Sequence, residues 1–142
     1  MTLEENKEVV VKFFDALRVA DAGAIDRLTA DEFMFLPMGG DKGINKENFI
    51  DLVVNSVSAF PDHSSSIDGM VAEGDTVAVR MTVTGTHLNQ WGKHAPTGKY
   101  FNISEVFFLR IVDGRIVEDR GLKDALGHYQ QLGILPPYEE IG

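Results

Sequence analysis

Residues 111–133 read IVDGRIVEDRGLKDALGHYQQLG, and this stretch predicts a strand, a tight turn, a second strand and a helix. Asp113 and Gly114 lie between two apolar alternations, which is the strongest short-range signal for a two-residue hairpin turn. Asp124 can then accept a hydrogen bond as the N-cap of a helix that ends near Leu132. The segment therefore predicts an antiparallel hairpin followed by a short helix.

The region before this hairpin alternates between apolar and polar side chains, which is the pattern of half-buried strands. Four long strands are predicted in this half of the chain: Ser66–Glu73, Thr76–His87, Lys99–Val112 and Arg115–Lys123. A long loop, Leu88–Gly98, joins the second of these strands to the third. Short turns between the others predict an antiparallel sheet.

The first sixty residues carry apolar side chains at helical spacing instead. Thr2 and Glu5 form a capping box that starts a first helix, which runs to about Val19. Asn45 can cap a later helix that ends near Phe60. Each helix has one apolar stripe, and this stripe must be covered by another element.

Shorter elements are predicted between these two helices. Ala24–Leu28 forms one or two further helical turns, Glu32–Pro37 forms a short strand, and Gly39–Gly43 is a turn cluster. Helices that precede an antiparallel sheet predict an α+β fold with the helices on one face of the sheet. We expect residues 1–142 to form a single domain.

The composition predicts a globular domain with a strong negative charge. The chain has 142 residues, 44% of them hydrophobic, and 22 acidic against 13 basic side chains give a formal net charge of −9. This charge repels phosphate and anionic lipid, so neither nucleic acid nor a membrane is expected as a partner. With no signal-like start or spanning stretch, a cytoplasmic protein is expected. The chain has no cysteine, and no histidine or carboxylate spacing indicates a metal site.

The two faces of the predicted sheet can be separated because successive strand residues point to opposite sides. In the third long strand, Ile103, Glu105 and Leu109 share one face, while Val106 and Phe108 share the other. Both faces therefore have apolar members. We expect helices to cover one face and a second copy of the chain to cover the other, which predicts a homodimer through the outer sheet face.

Three ionisable side chains are predicted to point toward the interior: Glu105, Asp119 and His87. Burial among hydrocarbons favours the neutral form of a carboxyl, so Glu105 is either a proton-transfer group or a structural glutamate bonded to the backbone or an arginine. Asp119 either pairs with Glu105 or lies solvated at the rim. His87 ends a strand at the loop that covers the cavity mouth, where it acts in proton transfer or makes a plain polar contact. His63 and His128 are interpreted as surface residues.

Several short motifs, in their order along the chain, resemble the SnoaL-like polyketide cyclases, which have the cone-shaped fold named after nuclear transport factor two. The motifs are Phe60–Asp62, Val71–Asp75, Val77–Arg80, Gly85–His87, Ala95–Gly98, Phe108–Glu118, Asp124–Gly127 and Gln130–Gly133. The resemblance covers nearly the whole chain. It implies a strongly bent, mixed or antiparallel sheet that wraps on the N-terminal helices and encloses a pocket.

The resemblance also implies a reaction. Members of this family close the last ring of aromatic polyketides by intramolecular aldol condensation, without a metal or cofactor, and an aspartate acts as acid and base. That aspartate would fall at Gly121 in this chain. Two further polar positions of the family pocket, a glutamine and a histidine in the best-known cyclase, would fall at Glu105 and Phe107.

Two other enzyme classes share this fold and match the chain less well. The general base and the helix-one tyrosine of the ketosteroid isomerases would fall at Leu36 and Phe13. Epoxide hydrolases of the limonene type need an Asp-Arg-Asp set inside the cone, but Arg110 and Arg120 both have the outward parity. Neither reaction is predicted.

An apolar lining is predicted around the candidate acid/base groups. Its members are Phe14, Leu17, Phe35, Met38, Phe49, Val53, Met81, Trp91 and Phe107. Trp91 lies in the long loop, where it either stacks on a flat ligand or packs on its own loop or a dimer partner. The first hypothesis is a cofactor-independent acid/base enzyme that acts on a small apolar carbonyl compound as the cyclases do, with Glu105 as its main proton-transfer group. The second is a non-catalytic binding or scaffold protein that has lost the reaction, as Gly121 suggests.

Overall fold

Helices and one six-stranded mixed sheet make up the computed structural model, which describes residues 1–40 and 42–141. The helices are α1 (Leu3–Arg18), α2 (Ala22–Leu28), α3 (Lys46–Ala59), α4 (Ala125–Gln131) and α5 (Tyr138–Ile141). The strands are β1 (Thr29–Pro37), β2 (Ile44–Asn45), β3 (Ser64–Glu73), β4 (Thr76–Thr86), β5 (Tyr100–Val112) and β6 (Arg115–Lys123). Asp41, within the predicted turn cluster, lies outside the described residues.

The strands follow the order β2-β1-β6-β5-β4-β3 across the sheet. β1 and β6 are parallel, and the other neighbouring pairs are antiparallel. The hairpin between β5 and β6 turns at Asp113 and Gly114, whose φ angles are 51° and 78°. Two consecutive positive φ angles are what a two-residue hairpin turn of the primed type requires. The predicted α+β fold and its closing hairpin are therefore confirmed.

Side-chain caps start the helices where the sequence predicts them. The side chains of Thr2, Asn45 and Asp124 each accept a hydrogen bond from the backbone N–H three residues later, at 3.1, 2.9 and 2.9 Å. Two short elements were not predicted, namely β2 and α5. Each has four residues or fewer, which is too short for a periodic pattern to be visible.

The main core lies between the inner face of the sheet and the helices α1 and α3. Phe13 of α1 stacks on Phe49 of α3 at 6.0 Å between ring centroids, and Phe49 also lies 5.1 Å from Phe33 of β1. A second, smaller cluster forms around Phe60 and Phe101, whose rings meet edge to face at 5.0 Å. The space between these two clusters is the place where a cavity can form.

A bulge in β6 changes which of its side chains face the core. Leu109 of β5 pairs with Asp119, whereas Ile111 pairs with Ile116, so β6 carries one extra residue between these two pairs. Such a bulge reverses the alternation of side chains locally. In a regular strand, residues three apart point to opposite faces. Because of the bulge, Ile116 and Asp119 are nevertheless both buried.

The outer face of the sheet is partly apolar and exposed. The side chains of Val71, Phe108 and Leu122 are 68%, 48% and 48% exposed. Arg110 and Arg120 are also exposed on this side, as their parity predicts, and pair with Asp75 and Glu118. None of the helices in the described part of the chain is both long and apolar enough to cross a bilayer.

Candidate active site

A mostly apolar cavity of about 180 Å³ lies between α1, α3 and the inner face of the sheet. Polar side chains interrupt its lining at a few positions: Arg18, Ser56, His63, Ser65, Glu105, Lys123 and His128. A hydrocarbon-lined cavity of about 150 Å³ is large enough to bind benzene. The cavity therefore has room for about one ring and its substituents.

The predicted lining residues divide into two groups. The cavity is lined by six of them: Phe14, Leu17, Val53, Met81, Trp91 and Phe107. The other three, Phe35, Met38 and Phe49, are not part of the lining. Phe35 and Phe49 pack on each other at 5.3 Å between ring centroids, within the aromatic core. The backbone N–H of Met38 bonds to the Gly121 carbonyl at 2.7 Å and continues the pairing of β1 with β6.

Glu105 is a carboxyl group in the apolar wall of the cavity. It lies on β5, in register with Met81 of β4 on one side and Lys123 of β6 on the other. Burial raises the pKa of Glu105, and the positive charge of Lys123 lowers it by less. The two side chains form no direct ion pair among the described residues. Glu105 therefore borders the cavity without an ion-pair partner among the described residues.

Lys123 and His128 are cavity residues that the sequence reasoning missed. The Lys123 Nζ lies 3.4 Å from Nδ1 of His128 and 4.9 Å from the centroid of the Trp91 ring. Lys123 ends β6 and Asp124 caps α4, so the chain turns sharply and brings His128 back toward Lys123. Burial lowers the pKa of Lys123, and the Glu105 carboxylate opposes this change.

The prediction that His128 lies on the surface is wrong. Its side chain is only 4% exposed, and its ring lies 4.2 Å from Phe101 and 4.7 Å from Trp91 between centroids. Burial is the largest cause, and together with the charges of Lys123 and His87 it lowers the pKa of His128 to about 3. The imidazole is therefore neutral at physiological pH. A lysine that ends a strand, an N-cap aspartate and a histidine four residues later are the signal that could have identified the pair.

Asp119 faces the interior but does not reach the cavity. It is 1% exposed, and neither carboxylate oxygen has a hydrogen-bond partner among the described residues. Burial raises the pKa of Asp119 well above its ordinary value, and the nearby charge of Glu105 raises it further. The expectation of a solvated rim position is wrong because the neighbouring strands place Leu109 and Phe35 opposite Asp119. Asp119 is thus a carboxyl group enclosed in the core, where burial favours its neutral form.

His87 is also buried and lies outside the cavity lining. Its Nδ1 accepts a hydrogen bond from the backbone N–H of Thr97 at 3.3 Å, which ties the long loop to the end of β4. Burial lowers the pKa of His87, and the charge of His94 adds to this effect. The imidazole is packed 5.4 Å from the ring of Phe60 and serves as a contact between the loop and the second core cluster.

The space around Gly121 is filled by aromatic rings. A Cβ atom at this position would lie 2.7 Å from two ring atoms of Phe107 and 3.1 Å from Phe35. Contacts of 2.7 Å are far inside van der Waals distance, so Phe107 occupies the place that a side chain on Gly121 would need. Gly121 and Phe107 are paired across β6 and β5.

The polar groups of the cavity wall include side chains of the kinds that can transfer protons. In the part of the chain that the structure describes, no three histidine, cysteine, aspartate or glutamate side chains are grouped so that they could hold a metal ion. The cavity wall does bring together a carboxyl, an ammonium and a neutral imidazole. A carboxylate in such a wall can remove a proton, and an ammonium beside it can stabilise the negative charge that forms.

Comparison with known proteins finds that the chain is similar to one family of proteins over most of its length. A model of the SnoaL-like polyketide cyclase family matches residues 8–132. Aklanonic acid methyl ester cyclase AcmA of Streptomyces galilaeus is 35% identical over 65 residues, a match that covers 46% of this chain and 45% of the length of AcmA. The match to the related cyclase DauD of Streptomyces sp. strain C5 covers 40% of its length at 34% identity.

Solved structures share the fold over nearly the full chain. AclR from Streptomyces galilaeus has a TM-score of 0.85 and 27% identity, with 95% of this chain and 100% of AclR covered. IdmH from Streptomyces antibioticus has a TM-score of 0.79 and 25% identity, with 90% and 98% covered.

Proposed function

Because this chain belongs to the SnoaL-like polyketide cyclase family, we propose that it is a cofactor-independent acid/base enzyme acting on a small apolar carbonyl compound. The reaction we propose is an aldol cyclisation, and the observation that carries the proposal is the Glu105 carboxyl in the wall of a mostly apolar cavity. The sequence predicts Asp119 and His87 as assistants. Since both lie behind the cavity lining, the proposal assigns direct proton transfer to Glu105.

The chemistry needs one group that both removes and returns a proton. The Glu105 carboxylate takes a proton from a carbon next to a carbonyl, which leaves an enolate. The enolate carbon attacks a second carbonyl of the same molecule, a carbon–carbon bond forms, and the resulting alkoxide takes the proton back from Glu105. The raised pKa of Glu105 supports this cycle because a carboxyl nearer to neutrality is both a stronger base and a usable acid.

The cavity suits an apolar substrate with few rings. Most of its lining is hydrocarbon, including Phe14, Val53 and Met81, and this favours a flat, hydrophobic ligand. Two curated relatives are named as cyclases of a methyl ester, so we propose that the carbonyl compound carries an ester or ketone group at the polar wall. A substrate larger than about one ring would extend beyond this cavity volume.

A proton-exchange assay tests the role of Glu105 without the natural substrate. The probe is methyl 2-oxocyclohexanecarboxylate, a one-ring β-keto ester, and deuterium uptake at its acidic carbon is followed by NMR in D₂O. We expect Glu105→Gln to lower the catalysed rate by about 10²- to 10⁴-fold, the usual contribution of a positioned acid/base group. The wild-type rate should rise with pH through the raised pKa of Glu105, because the carboxylate form is the base.

The matched control is Asp119→Asn, which removes a carboxyl from the same inner face but not from the cavity lining. It should keep most of the wild-type rate. If Glu105→Gln and wild type exchange the probe equally fast, the acid/base role of Glu105 is wrong. If wild type binds the probe but never exchanges its proton, the alternative of a non-catalytic binding protein gains instead. That alternative is supported by the packing of Phe107 over Gly121, which leaves no room for a carboxylate there.

We also propose that the outer sheet face joins two copies of the chain. The exposed apolar side chains of Val71, Phe108 and Leu122 on this face support it, because burying them against a second copy removes hydrocarbon from water. Sedimentation equilibrium should show a dimer for wild type and a monomer for Phe108→Asp. Val19→Asp, at an exposed apolar position after α1, should remain dimeric. A wild-type monomer at working concentration would exclude the dimer.

A further inference from the structure

The Lys123 ammonium group has two favourable contacts inside the cavity. Its Nζ lies 4.9 Å from the centroid of the Trp91 ring, within range of a cation–π contact. Nδ1 of His128, at 3.4 Å, is the only hydrogen-bond acceptor that Nζ has among the described residues. An ammonium group has three N–H donors, so two of them are free for a ligand.

His128 is suited to position the Lys123 ammonium group, because its neutral ring accepts a hydrogen bond and adds no second positive charge. The neutral imidazole accepts at Nδ1 and therefore carries its hydrogen on Nε2. That Nε2 is buried and has no hydrogen-bond partner in the described part of the chain. The ring is fixed by its aromatic neighbours Phe101 and Trp91, so the acceptor atom cannot easily turn away from Lys123.

We infer that Lys123, positioned by His128, forms a binding site for a negatively charged oxygen atom of the ligand, such as the oxygen of an enolate or a phenolate. The inference rests on the proposed function for the cavity as the ligand site, and it adds the group that binds the substrate oxygen. The oxygen of the enolisable carbonyl compound lies on Lys123 while its acidic carbon faces Glu105.

The register of the sheet supports this division of roles. Lys123 and Glu105 are direct neighbours across β6 and β5, and neighbouring strands lie about 4.8 Å apart. A carbonyl oxygen and the carbon next to it are close enough to meet two such neighbouring side chains. The charge on the oxygen grows as Glu105 removes the proton, and in an apolar cavity a nearby ammonium stabilises this charge more than water-exposed lysine would.

Binding of p-nitrophenol tests the site without any turnover. Its phenol and phenolate forms have different absorption spectra, so the ionisation of the bound probe can be titrated directly. We expect wild type to bind the phenolate at least about tenfold more tightly than the phenol, which lowers the pKa of the bound probe by about one unit. Lys123→Met keeps the length and apolar contacts of the side chain and should abolish this preference.

The result separates this inference from the proposed function. Glu105→Gln should stop proton exchange of the β-keto ester but keep or strengthen the phenolate preference, because it removes a neighbouring negative charge. The other charged or titratable groups of the cavity lining are Arg18, His63 and His128. If Arg18→Gln removes the preference and Lys123→Met does not, or if wild type shows no preference, the inference is wrong.

A separate variant tests the positioning role of His128. His128→Phe keeps an aromatic ring among Phe101 and Trp91 and should fold normally, but it removes the acceptor for Lys123. We expect this variant to keep affinity for the neutral phenol and to lose part of the phenolate preference, whereas His128→Gln should retain more of it. Equal phenolate preference in wild type and His128→Phe would exclude the positioning role. A covalent adduct of Lys123 with the β-keto ester after borohydride reduction would overturn the site, since Lys123 would then act as a neutral nucleophile.

Discussion

Glu105 and Asp119 are two carboxyl groups on the inner face of one sheet, and their surroundings differ sharply. Glu105 lines the cavity and faces Lys123 across neighbouring strands. Asp119 is enclosed by the core and has no hydrogen-bond partner among the described residues. Burial raises the pKa of both groups, and for Asp119 the charge of Glu105 raises it further.

The difference shows that a raised pKa alone does not identify a proton-transfer group. A working acid/base residue must reach the substrate and must be able to change its charge during the reaction. Glu105 borders the cavity and has Lys123 beside it, and on this ground we propose that it meets both conditions. Asp119 meets neither, since nothing in its surroundings stabilises its charged form.

The largest expected effect is a loss of folding stability when a third carboxyl group is placed on this inner face. In Gly121→Asp the new Cβ would meet the Phe107 ring at 2.7 Å, and the buried carboxyl would add a second penalty. We expect Gly121→Ala to lower the free energy of unfolding by about 1–3 kcal/mol through overpacking. Gly121→Asp should lower it by about 1–3 kcal/mol more, the usual cost of burying an unpaired polar group. Urea denaturation measures both values.

A double-mutant cycle shows whether contact with Phe107 causes the loss of stability in Gly121→Ala. The cost of Gly121→Ala should be smaller in a Phe107→Leu background, with a coupling of about 0.5–3 kcal/mol between the two positions. No coupling would mean that the space over Gly121 is limited by other groups. A Gly121→Asp variant as stable as wild type would show that the core can accept a carboxyl there, and the contrast between cavity and core would be lost.

A smaller, pH-dependent effect is expected at Asp119. Its pKa in the folded protein is raised well above the unfolded value, so its contribution to stability is fully present below the unfolded pKa and is lost as pH rises through the folded pKa. The free energy of unfolding of wild type should therefore fall relative to that of Asp119→Asn as pH rises above about 4, by at most about 1.4 kcal/mol per pH unit.

The control for this measurement is Glu32→Gln, which removes an exposed carboxyl from β1. The difference in stability between this variant and wild type should be smaller than the difference between Asp119→Asn and wild type. If the stability difference between wild type and Asp119→Asn does not change with pH, Asp119 is not a neutral buried carboxyl. In that case the contrast with Glu105 would rest on cavity access alone.

Local features of the fold were predictable because they depend on neighbouring residues. Thr2, Asn45 and Asp124 cap helices where a short polar side chain precedes an apolar stripe. The Asp113 and Gly114 turn follows from the ease with which these residue types adopt positive φ. The inward direction of Glu105 follows from strand parity, which needs only the period of the sequence.

The candidate site was predicted only in part, because its other members meet through the tertiary structure. The sequence does not identify Lys123 or His128 as buried, since neither has an apolar pattern around it that signals burial. The structure brings them together with Trp91, which comes from a loop more than thirty residues earlier in the chain. No pattern among neighbouring residues in the sequence predicts such a contact.

The sequence by itself determined the α+β fold, the helix caps, the closing hairpin and the inward direction of Glu105. Those properties depend on backbone preferences and on the spacing of apolar side chains over a few residues. Only the tertiary structure decided that Glu105 borders a cavity, that Asp119 is sealed in the core, and that Phe107 covers Gly121. Burial and electrostatic surroundings are set by side chains from distant parts of the chain, so they exist only once the helices have packed on the sheet.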